Sequence, residues 1–272
     1  MSLRDQRRQA PSSAAPTIEA VAAASSIIDF LAENASPIGV QQVATALGMT
    51  KSRASRHLSN LETLGIVARV PPGRAYQLGW RVLRWGHLAS ARFGLVERVG
   101  HALETLKNRL GLTVLLCAST GGDAVVLQCY PASTAIRIEV EKGLVLSLPH
   151  SPSARVSFAF QPRERRHQLL EHLHAREQGF RIEDDAEFSE QIVAIQHSYY
   201  CWTRDKYDIG HGAVAAPIFD REEALAGVVT IMLPTNQNGE RGPPEDVVVA
   251  LLAACEQCSR LLHSNMRFPG RA

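Results

Sequence analysis

The sequence predicts an α+β protein with an N-terminal winged helix-turn-helix, a linker helix, and a C-terminal mixed α/β domain. Three observations support this prediction. The N-terminal third has the apolar pattern of helix, short helix, turn, helix and hairpin; basic residues are concentrated in the same third; and strand-like runs flank a helical middle in the rest. The length of 272 residues fits two domains, since one domain usually takes about 100–200 residues.

The first two helices are predicted from apolar residues spaced three and four apart. The first begins after Thr17, which can act as its N-cap, and ends before the Ser36-Pro37 pair, because the residue before proline avoids helical geometry. A short second helix covers residues 40–47. Gly48 follows it, where a left-handed residue is easiest for glycine.

The third helix is predicted over residues 51–64, with Thr50 as its N-cap and Gly65 after its end. Its expected apolar face consists of Ala54, Leu58, Leu61 and Leu64. The turn at residues 48–50 has the length found between the two helices of a helix-turn-helix. The third helix is therefore the predicted recognition helix.

The residues expected to contact DNA are hydrogen-bond donors and cations at the start of this helix and nearby, where they can reach phosphates and base edges. On the helices they are Gln41, Thr50, Lys51, Ser52, Arg53, Ser55, Arg56, His57 and Asn60. On the following hairpin they are Arg69, Arg74 and Tyr76.

That hairpin is predicted from two short β-like runs, residues 66–70 and 75–78, around a Pro-Pro-Gly-Arg turn. A hairpin directly after the recognition helix is a wing. Arg69 and Arg74 would lie along it or at its tip, against the DNA backbone or in the minor groove.

The charge distribution agrees with this assignment. Residues 1–92 carry 11 Lys and Arg against 5 Asp and Glu, whereas the remaining 180 residues carry 18 against 22. Such an asymmetry suggests a nucleic-acid-binding module joined to a different one. A merely solvated basic face would give the same numbers, and it is the order of the elements that favours DNA binding.

A linker helix is predicted over residues 80–92, with Val82, Trp85, Leu88 and Ala89 as its apolar residues. It has little of its own domain to pack against. Two alternatives remain: it packs on a second copy of the chain, as suits a dimer that reads two half-sites, or it packs on its own chain.

The rest of the chain predicts a mixed sheet with helices on one side or at its ends. The expected helices cover residues 94–110, 153–160, 162–175, 187–198 and 244–263, and the expected strands cover 113–119, 124–130, 136–141, 212–219 and 225–233. The alternation at 136–141 is typical of a half-exposed antiparallel strand. The predicted organisation is a disordered tail at 1–15, a DNA-binding domain at 16–79, a linker at 80–93 and a second domain at 94–265.

No cofactor or metal site is predicted. Cys255 and Cys258 have metal-ligand spacing without a second pair, and they fit buried core thiols better. His167 and Glu171 lie four residues apart on a helix face that otherwise resembles a solvated one. The longest apolar run has nine residues, too short for a membrane span, and the polar N-terminus does not resemble a secretory signal. We therefore expect a cytoplasmic protein without a membrane partner.

Four stretches carry a resemblance to a known family: Ser-Arg-Ala-Ser-Arg-His-Leu at 52–58, Tyr-Gln-Leu-Gly at 76–79, Gln-Gly-Phe at 178–180, and Gly-Ala-Val-Ala-Ala-Pro-Ile-Phe-Asp at 212–220. The chain resembles the IclR family of bacterial transcriptional regulators from about Thr17 to His263. The resemblance implies a winged helix, a linker helix and a GAF-like effector-binding domain. It also implies dimers or tetramers, and a small organic acid or aromatic effector that alters operator binding.

The effector-binding residues implied by the resemblance are Ser151, Ser153, Ala154, Asp205, Tyr207, Ala213, Thr230 and Met232. The family usually has Pro-Leu-His-x-Thr-Ala-x-Gly as one pocket wall; here Ala154 stands in place of the glycine and Pro152 in place of the alanine. Ala213 takes a position that is often polar or Cys, and Met232 one that often carries a small hydroxyl. We therefore expect a bulkier, partly apolar effector rather than a very small carboxylate.

Three classes of function remain. The first, which we expect, is a ligand-responsive, sequence-specific regulator, such as the repressor of a catabolic or efflux operon, that binds double-stranded operator DNA as a homodimer or homotetramer. The second is an architectural DNA-binding protein whose C-terminal domain only oligomerises. The third is an enzyme with an accessory DNA-binding module; no residue spacing indicates a catalytic triad or a nucleotide-binding loop, so we expect no enzymatic activity.

Overall fold

The computed structural model describes residues 18–120, 122–134, 137–176, 186–204, 210–234 and 242–269. These form two compact units that divide between Phe93 and Gly94. In the described part of the chain, none of the helices is both long and apolar enough to cross a membrane.

The N-terminal unit has the predicted order of helix, short helix, helix and hairpin. Its elements are α1 (Glu19–Ala32), β1 (Ile38–Gly39), α2 (Val40–Ala46), α3 (Lys51–Thr63), β2 (Val67–Val70), β3 (Ala75–Leu78) and α4 (Trp80–Phe93). The strands form an antiparallel sheet in the order β1-β3-β2. The short strand β1 was not predicted, because two residues carry no periodicity that a sequence pattern can reveal.

The predicted helix ends of this unit are largely confirmed. The Thr50 side chain accepts a hydrogen bond from the Arg53 backbone N–H, as an N-cap does. Gly48 and Gly65 have φ values of +60° and +71° after α2 and α3, a left-handed conformation that costs glycine little. Thr17 lies outside the described residues, and the N-cap of α1 is Ile18, which makes no side-chain capping bond.

The core of the N-terminal unit corrects one predicted position. Ala54, Leu58 and Leu61 of α3 are buried, but Leu64 is 51% exposed. Because each residue turns an α-helix by about 100°, Leu64 lies about 80° around the helix from Ala54. It also follows the last residue of α3, so it falls outside the apolar stripe.

The C-terminal unit is built on a six-stranded antiparallel sheet in the order β6-β5-β4-β9-β8-β7, which curls into a half-barrel. Its strands are β4 (Thr113–Thr120), β5 (Asp123–Tyr130), β6 (Val145–Leu146), β7 (Cys201–Arg204), β8 (His211–Phe219) and β9 (Leu225–Pro234). Its helices are α5 (Leu95–Leu110), α6 (Pro152–Ala159), α7 (Arg163–Arg176), α8 (Ala186–Ser198) and α9 (Glu245–Leu261).

Helices cover both faces of this sheet, rather than one side or the ends as predicted. Val114 and Leu116 of β4 share a buried cluster with residues of α5 and α9. Leu115 and Cys117, which alternate with them, share a second cluster with residues of α6, α7 and α8. Successive side chains of a strand point to opposite faces, so the central strands are apolar on both sides.

The prediction of a strand at residues 136–141 is wrong. Residue 136 lies outside the described part, and residues 137–141 belong to no strand. The edge of β5 is instead occupied by β6, through Val125–Val145 and Ala124–Leu146 pairs. The alternating pattern has another cause: Ile138 and Val140 line a cavity described below, whereas Arg137 and Glu139 carry an exposed ion pair.

Candidate functional site

The outer face of α3 is polar and accessible. Lys51, Ser52, Ser55, Arg56 and Asn60 are exposed, as are Thr50 and Gln41 nearby, and Arg53 and His57 are half-buried. A shallow groove of about 360 Å³ lies on this face between α1 and α3. The apolar residues of α3 face inward, so all of its predicted DNA-contacting side chains remain available to a ligand.

Arg53 has a counterion within its own unit. Its Nη1 lies 2.8 Å from Oε1 of Glu19, in the first turn of α1. The Glu19 side chain is largely exposed, so this ion pair is weak in water. A phosphate that approached Arg53 would compete with a carboxylate, whereas Arg56 makes no ion pair with any of the described residues.

Two of the three wing residues, Tyr76 and Arg69, have partners within the chain. The ring of Tyr76 is only 3% exposed and belongs to the core, so the expectation that it contacts DNA is corrected. Arg69 donates through Nη2 to Oε2 of Glu62 at 2.9 Å and to Oη of Tyr76 at 2.6 Å. The hydrogen bond that Arg69 donates to Glu62 is the main reason that the pKa of Arg69 is raised. Arg74 is exposed in the hairpin turn.

The linker helix α4 exposes large apolar side chains. Trp80 is 83% and Leu83 62% exposed, and Trp85 and Leu88 are also exposed. Arg81 anchors the helix start through a 2.8 Å hydrogen bond from Nη1 to the carbonyl of Leu64. Within the single chain, the apolar residues of α4 thus remain largely uncovered.

The C-terminal unit contains a cavity of about 200 Å³ beside the start of α6, which we call the apolar pocket. Five predicted effector residues line it: Ser151, Ser153, Ala213, Thr230 and Met232. Ala154 is fully buried in the core and does not line it. Asp205 and Tyr207 lie outside the described residues.

Sequence reasoning missed several walls of this pocket, namely Leu115, Ile138, Val140, Leu146, Thr203 and His211. The alternation of Ile138 and Val140 was visible but was interpreted as a strand. Thr203 belongs to β7, for which no strand was predicted. At Gly212, an added Cβ would lie 2.2 Å from Cη2 of Trp202, so glycine is required there for the β7–β8 pair.

A buried hydroxyl pair forms the polar part of the pocket. Oγ of Ser153 lies 2.7 Å from Oγ1 of Thr230, and both residues are buried. Ser151 caps α6, since its hydroxyl accepts from the Ala154 N–H, and Pro152 begins the helix, a position that suits proline. This local sequence therefore brings Ser153 over β9.

The electrostatics of the pocket are close to neutral. Its described lining contains no Asp, Glu, Lys or Arg, and His211 is its titratable side chain. Behind it, burial raises the pKa of the Cys117 thiol to about 12, although a hydrogen bond with Ser153 opposes this shift. That thiol is therefore protonated at neutral pH, and the pocket offers hydroxyl groups and apolar surface to a ligand.

The two cysteines of α9 are part of the buried core. Cys255 and Cys258 are free and buried, and burial raises the pKa of both, for Cys258 to about 12. Among the described residues, no group of three or more His, Cys, Asp and Glu could hold a metal ion.

Comparison with known proteins connects both units to one family. Residues 20–71 match the IclR helix-turn-helix domain, and residues 87–260 match the model described as bacterial transcriptional regulator IclR C-terminal. The HTH-type transcriptional regulator KipR of Bacillus subtilis is 24% identical over 193 residues, which cover 71% of this chain and 77% of KipR.

Solved structures share the fold. An IclR transcriptional regulator from Silicibacter sp. TM1040 gives a TM-score of 0.75 at 22% identity, covering 92% of this chain and 100% of that chain. An IclR homologue from Microbacterium hydrocarbonoxydans, complexed with 4-hydroxybenzoate, gives 0.69 at 14% identity, covering 90% and 99%. Because the C-terminal family model spans more than half of the chain and the helix-turn-helix model precedes it, the chain belongs to the IclR family of DNA-binding bacterial transcriptional regulators.

Proposed function

We propose that this regulator is ligand-responsive: it binds a specific operator through α3, and a small molecule in the apolar pocket changes its affinity for that DNA. The observation that carries the proposal is the pocket itself. It has about 200 Å³ of space and is lined by five of the residues that the family resemblance implies for effector binding, among them the buried Ser153–Thr230 hydroxyl pair, which supports the proposal.

DNA contact is proposed through the start of α3 and through the wing. An α-helix fits the major groove, and arginine reads guanine through two hydrogen bonds. Arg56 is the first choice for such a contact because its side chain is exposed and makes no ion pair within the described part of the chain. Arg74 is proposed to contact phosphate, while Arg69 acts mainly by tying the wing to α3 through Glu62.

An oligomer is proposed through α4. Two tryptophans and two leucines are exposed along this helix, and a second copy would remove them from water. A two-fold arrangement would also present two recognition helices to two half-sites. Substitution of Leu83 by Glu should convert the oligomer to monomer, as light scattering after size-exclusion chromatography would show. An unchanged mass would reject this interface.

The proposed effector is a small ring compound with a polar substituent. Apolar side chains would hold the ring, and Ser153 and Thr230 would bind a hydroxyl or carbonyl group. The Microbacterium relative that holds 4-hydroxybenzoate has the same fold, which supports a ring with a hydroxyl group as the body of the effector. The described lining offers no lysine or arginine to a carboxylate, so among the organic acids and aromatics first considered, the aromatic is favoured.

The cellular location, the lack of enzymatic activity and the mode of regulation are proposed from what the relatives are named for. The protein would act in the cytoplasm, where bacterial DNA is accessible, as a non-enzymatic regulator, and repression of a catabolic or efflux operon is the mode we propose. The names of its relatives describe transcriptional regulators, which supports this assignment over an enzyme.

A screen tests the proposal directly. Small acids and aromatics are tested for a rise in melting temperature of the full chain, and each hit is then added to mobility shifts with DNA selected by the protein from a random library. We expect at least one hit to change operator affinity. Selected DNA that binds equally well with and without every hit would favour a C-terminal unit that only oligomerises.

A further inference from the structure

A second cavity, which we call the basic cleft, lies along the edge strand β7. It measures about 570 Å³ and is bordered by α8 and by the turn that leads into α6. Thr203 is the one described residue that lines both this cleft and the apolar pocket. The described lining of the cleft includes His150, Arg155 and Arg204 but no Asp or Glu. The described lining of the cleft is therefore basic, whereas that of the apolar pocket contains no Asp, Glu, Lys or Arg.

Arg155 is held in the cleft by neutral groups. Its Nε donates to the carbonyl of Pro149, and its Nη1 donates to Oε1 of Gln191. The guanidinium lies 5.7 Å from the centre of the Phe188 ring. It also hydrogen-bonds the thiol of Cys201, whose pKa burial raises to about 11, so that sulfur is protonated at neutral pH. None of these partners neutralises the cation.

A partly buried cation such as Arg155, which has no anionic partner among the described residues, favours binding of an anion, because the charge has lost part of its hydration. Arginine has five N–H donors in a planar fork. The contacts with Pro149, Gln191 and Cys201 use three of them, which leaves donors for a carboxylate. Such charge-assisted pairs are among the stronger hydrogen bonds in proteins.

The walls around Arg155 define the rest of the ligand. Phe188 and Ile195 are buried side chains that line the cleft, and Ala194 of α8 lies beside them. These residues offer apolar surface next to the cation. A small carboxylate with an apolar body fits this combination better than a fully polar anion does.

We propose that the basic cleft is a second ligand site of this regulator and that it takes a small organic carboxylate through Arg155. This site is separate from the apolar pocket, although Ser153 and Arg155 both lie in the first turns of α6. The proposal goes beyond the proposed function and does not depend on it: the pocket would bind its effector even if the cleft bound nothing.

The test is isothermal titration of the full chain with benzoate, in a buffer free of other carboxylates and of phosphate. Benzamide, which has similar shape and no charge, is the control ligand. Arg155→Gln removes the cation, and Arg221→Gln removes one arginine from an exposed turn outside the cleft. We expect benzoate to bind the wild type and Arg221→Gln alike and to bind Arg155→Gln at least tenfold more weakly, with benzamide binding unchanged by Arg155→Gln.

A second measurement places the ligand without a variant. In crystals soaked with 4-bromobenzoate, we expect an anomalous bromine peak in the cleft, with the carboxylate against Arg155. Benzoate that binds Arg155→Gln as tightly as the wild type would overturn the proposal, and so would failure of the wild type to bind benzoate. A bromine peak confined to the apolar pocket would overturn it as well, whether or not Arg155→Gln folds.

Discussion

The two units of this regulator hold their candidate binding residues in opposite surroundings. In the N-terminal unit, the polar residues of α3 face outward, and a separate apolar face of the same helix forms the core. In the C-terminal unit, Ser153 and Thr230 are buried among core residues and line the pocket at the same time. The candidate binding residues are thus separate from the core in the first unit and part of the core in the second.

This difference determines how substitutions act. A residue on the outside of α3 can be changed with little effect on stability, so its loss should appear only in DNA binding. A pocket residue contributes to the packing of its unit, so its loss should appear in both stability and ligand binding. The four predictions below test this separation in order of decreasing effect.

The largest effect is expected inside α3. Leu58 is fully buried, whereas Leu64 is half-exposed. Leu58→Ala should lower the free energy of unfolding of the N-terminal unit by about 2–5 kcal/mol, because it leaves a cavity, and Leu64→Ala should change it by about 0.5 kcal/mol or less. Urea unfolding followed by circular dichroism measures both. Equal losses would show that the two faces of α3 are not distinct.

On the outer face, Arg56→Ala should affect DNA alone. We expect operator binding to weaken by about 1–3 kcal/mol, or roughly 5- to 150-fold, if Arg56 reads a base. The melting temperature should stay unchanged, because the side chain is exposed. Fluorescence anisotropy with labelled operator provides the affinity. A variant that binds operator normally would remove Arg56 from the interface.

In the pocket, stability and binding should change together. Thr230→Val keeps the shape of the side chain but removes the hydroxyl paired with Ser153, and we expect a loss of about 1 kcal/mol in the free energy of unfolding. Ser153→Ala should have a similar effect.

The double variant should lose less free energy of unfolding than the two single variants lose together, because each single substitution already removes the same shared hydrogen bond. Urea unfolding of the four proteins completes this cycle. Strictly additive losses would mean that the hydroxyl pair does not act as a unit.

The smallest effect is expected in the wing. Arg74→Ala should weaken all DNA sequences alike and reduce the slope of log affinity against log salt by about 1, as loss of one phosphate contact does. Arg69→Ala is the matched control, because Arg69 is already paired with Glu62. For this variant, the slope of log affinity against log salt should change less. Titrations at several salt concentrations measure both slopes. A larger change for Arg69 would reverse their assigned roles.

The same contrast explains what the sequence could predict. The order of elements in the N-terminal unit follows from local signals: helical periodicity, Thr50 as a cap and glycines at the helix ends. The burial of Tyr76 could not be predicted from the sequence, because it depends on the packing of β3 against the helices. The pairing of Arg69 with Glu62 likewise joins residues seven positions apart on different elements.

In the C-terminal unit, local patterns predicted most elements but not their arrangement. The alternation of Ile138 and Val140 is real, but it reflects a pocket wall rather than a strand. The edge strand β7 was not predicted, because it is only four residues long. The five pocket residues that were identified came from the family resemblance, since no local signal brings Ser153 and Thr230, 77 positions apart, into contact.

The most direct test of the central claim is to fill the apolar pocket. Ala213 lines it from β8, and Ala213→Phe would place a ring where we propose that the effector binds. For a compound that binds the wild type, we expect operator affinity to change by at least about fivefold, as allosteric coupling usually gives. In Ala213→Phe, the compound should have no effect, while DNA binding without ligand should persist. The same ligand-dependent change in a folded Ala213→Phe variant would contradict control through this pocket.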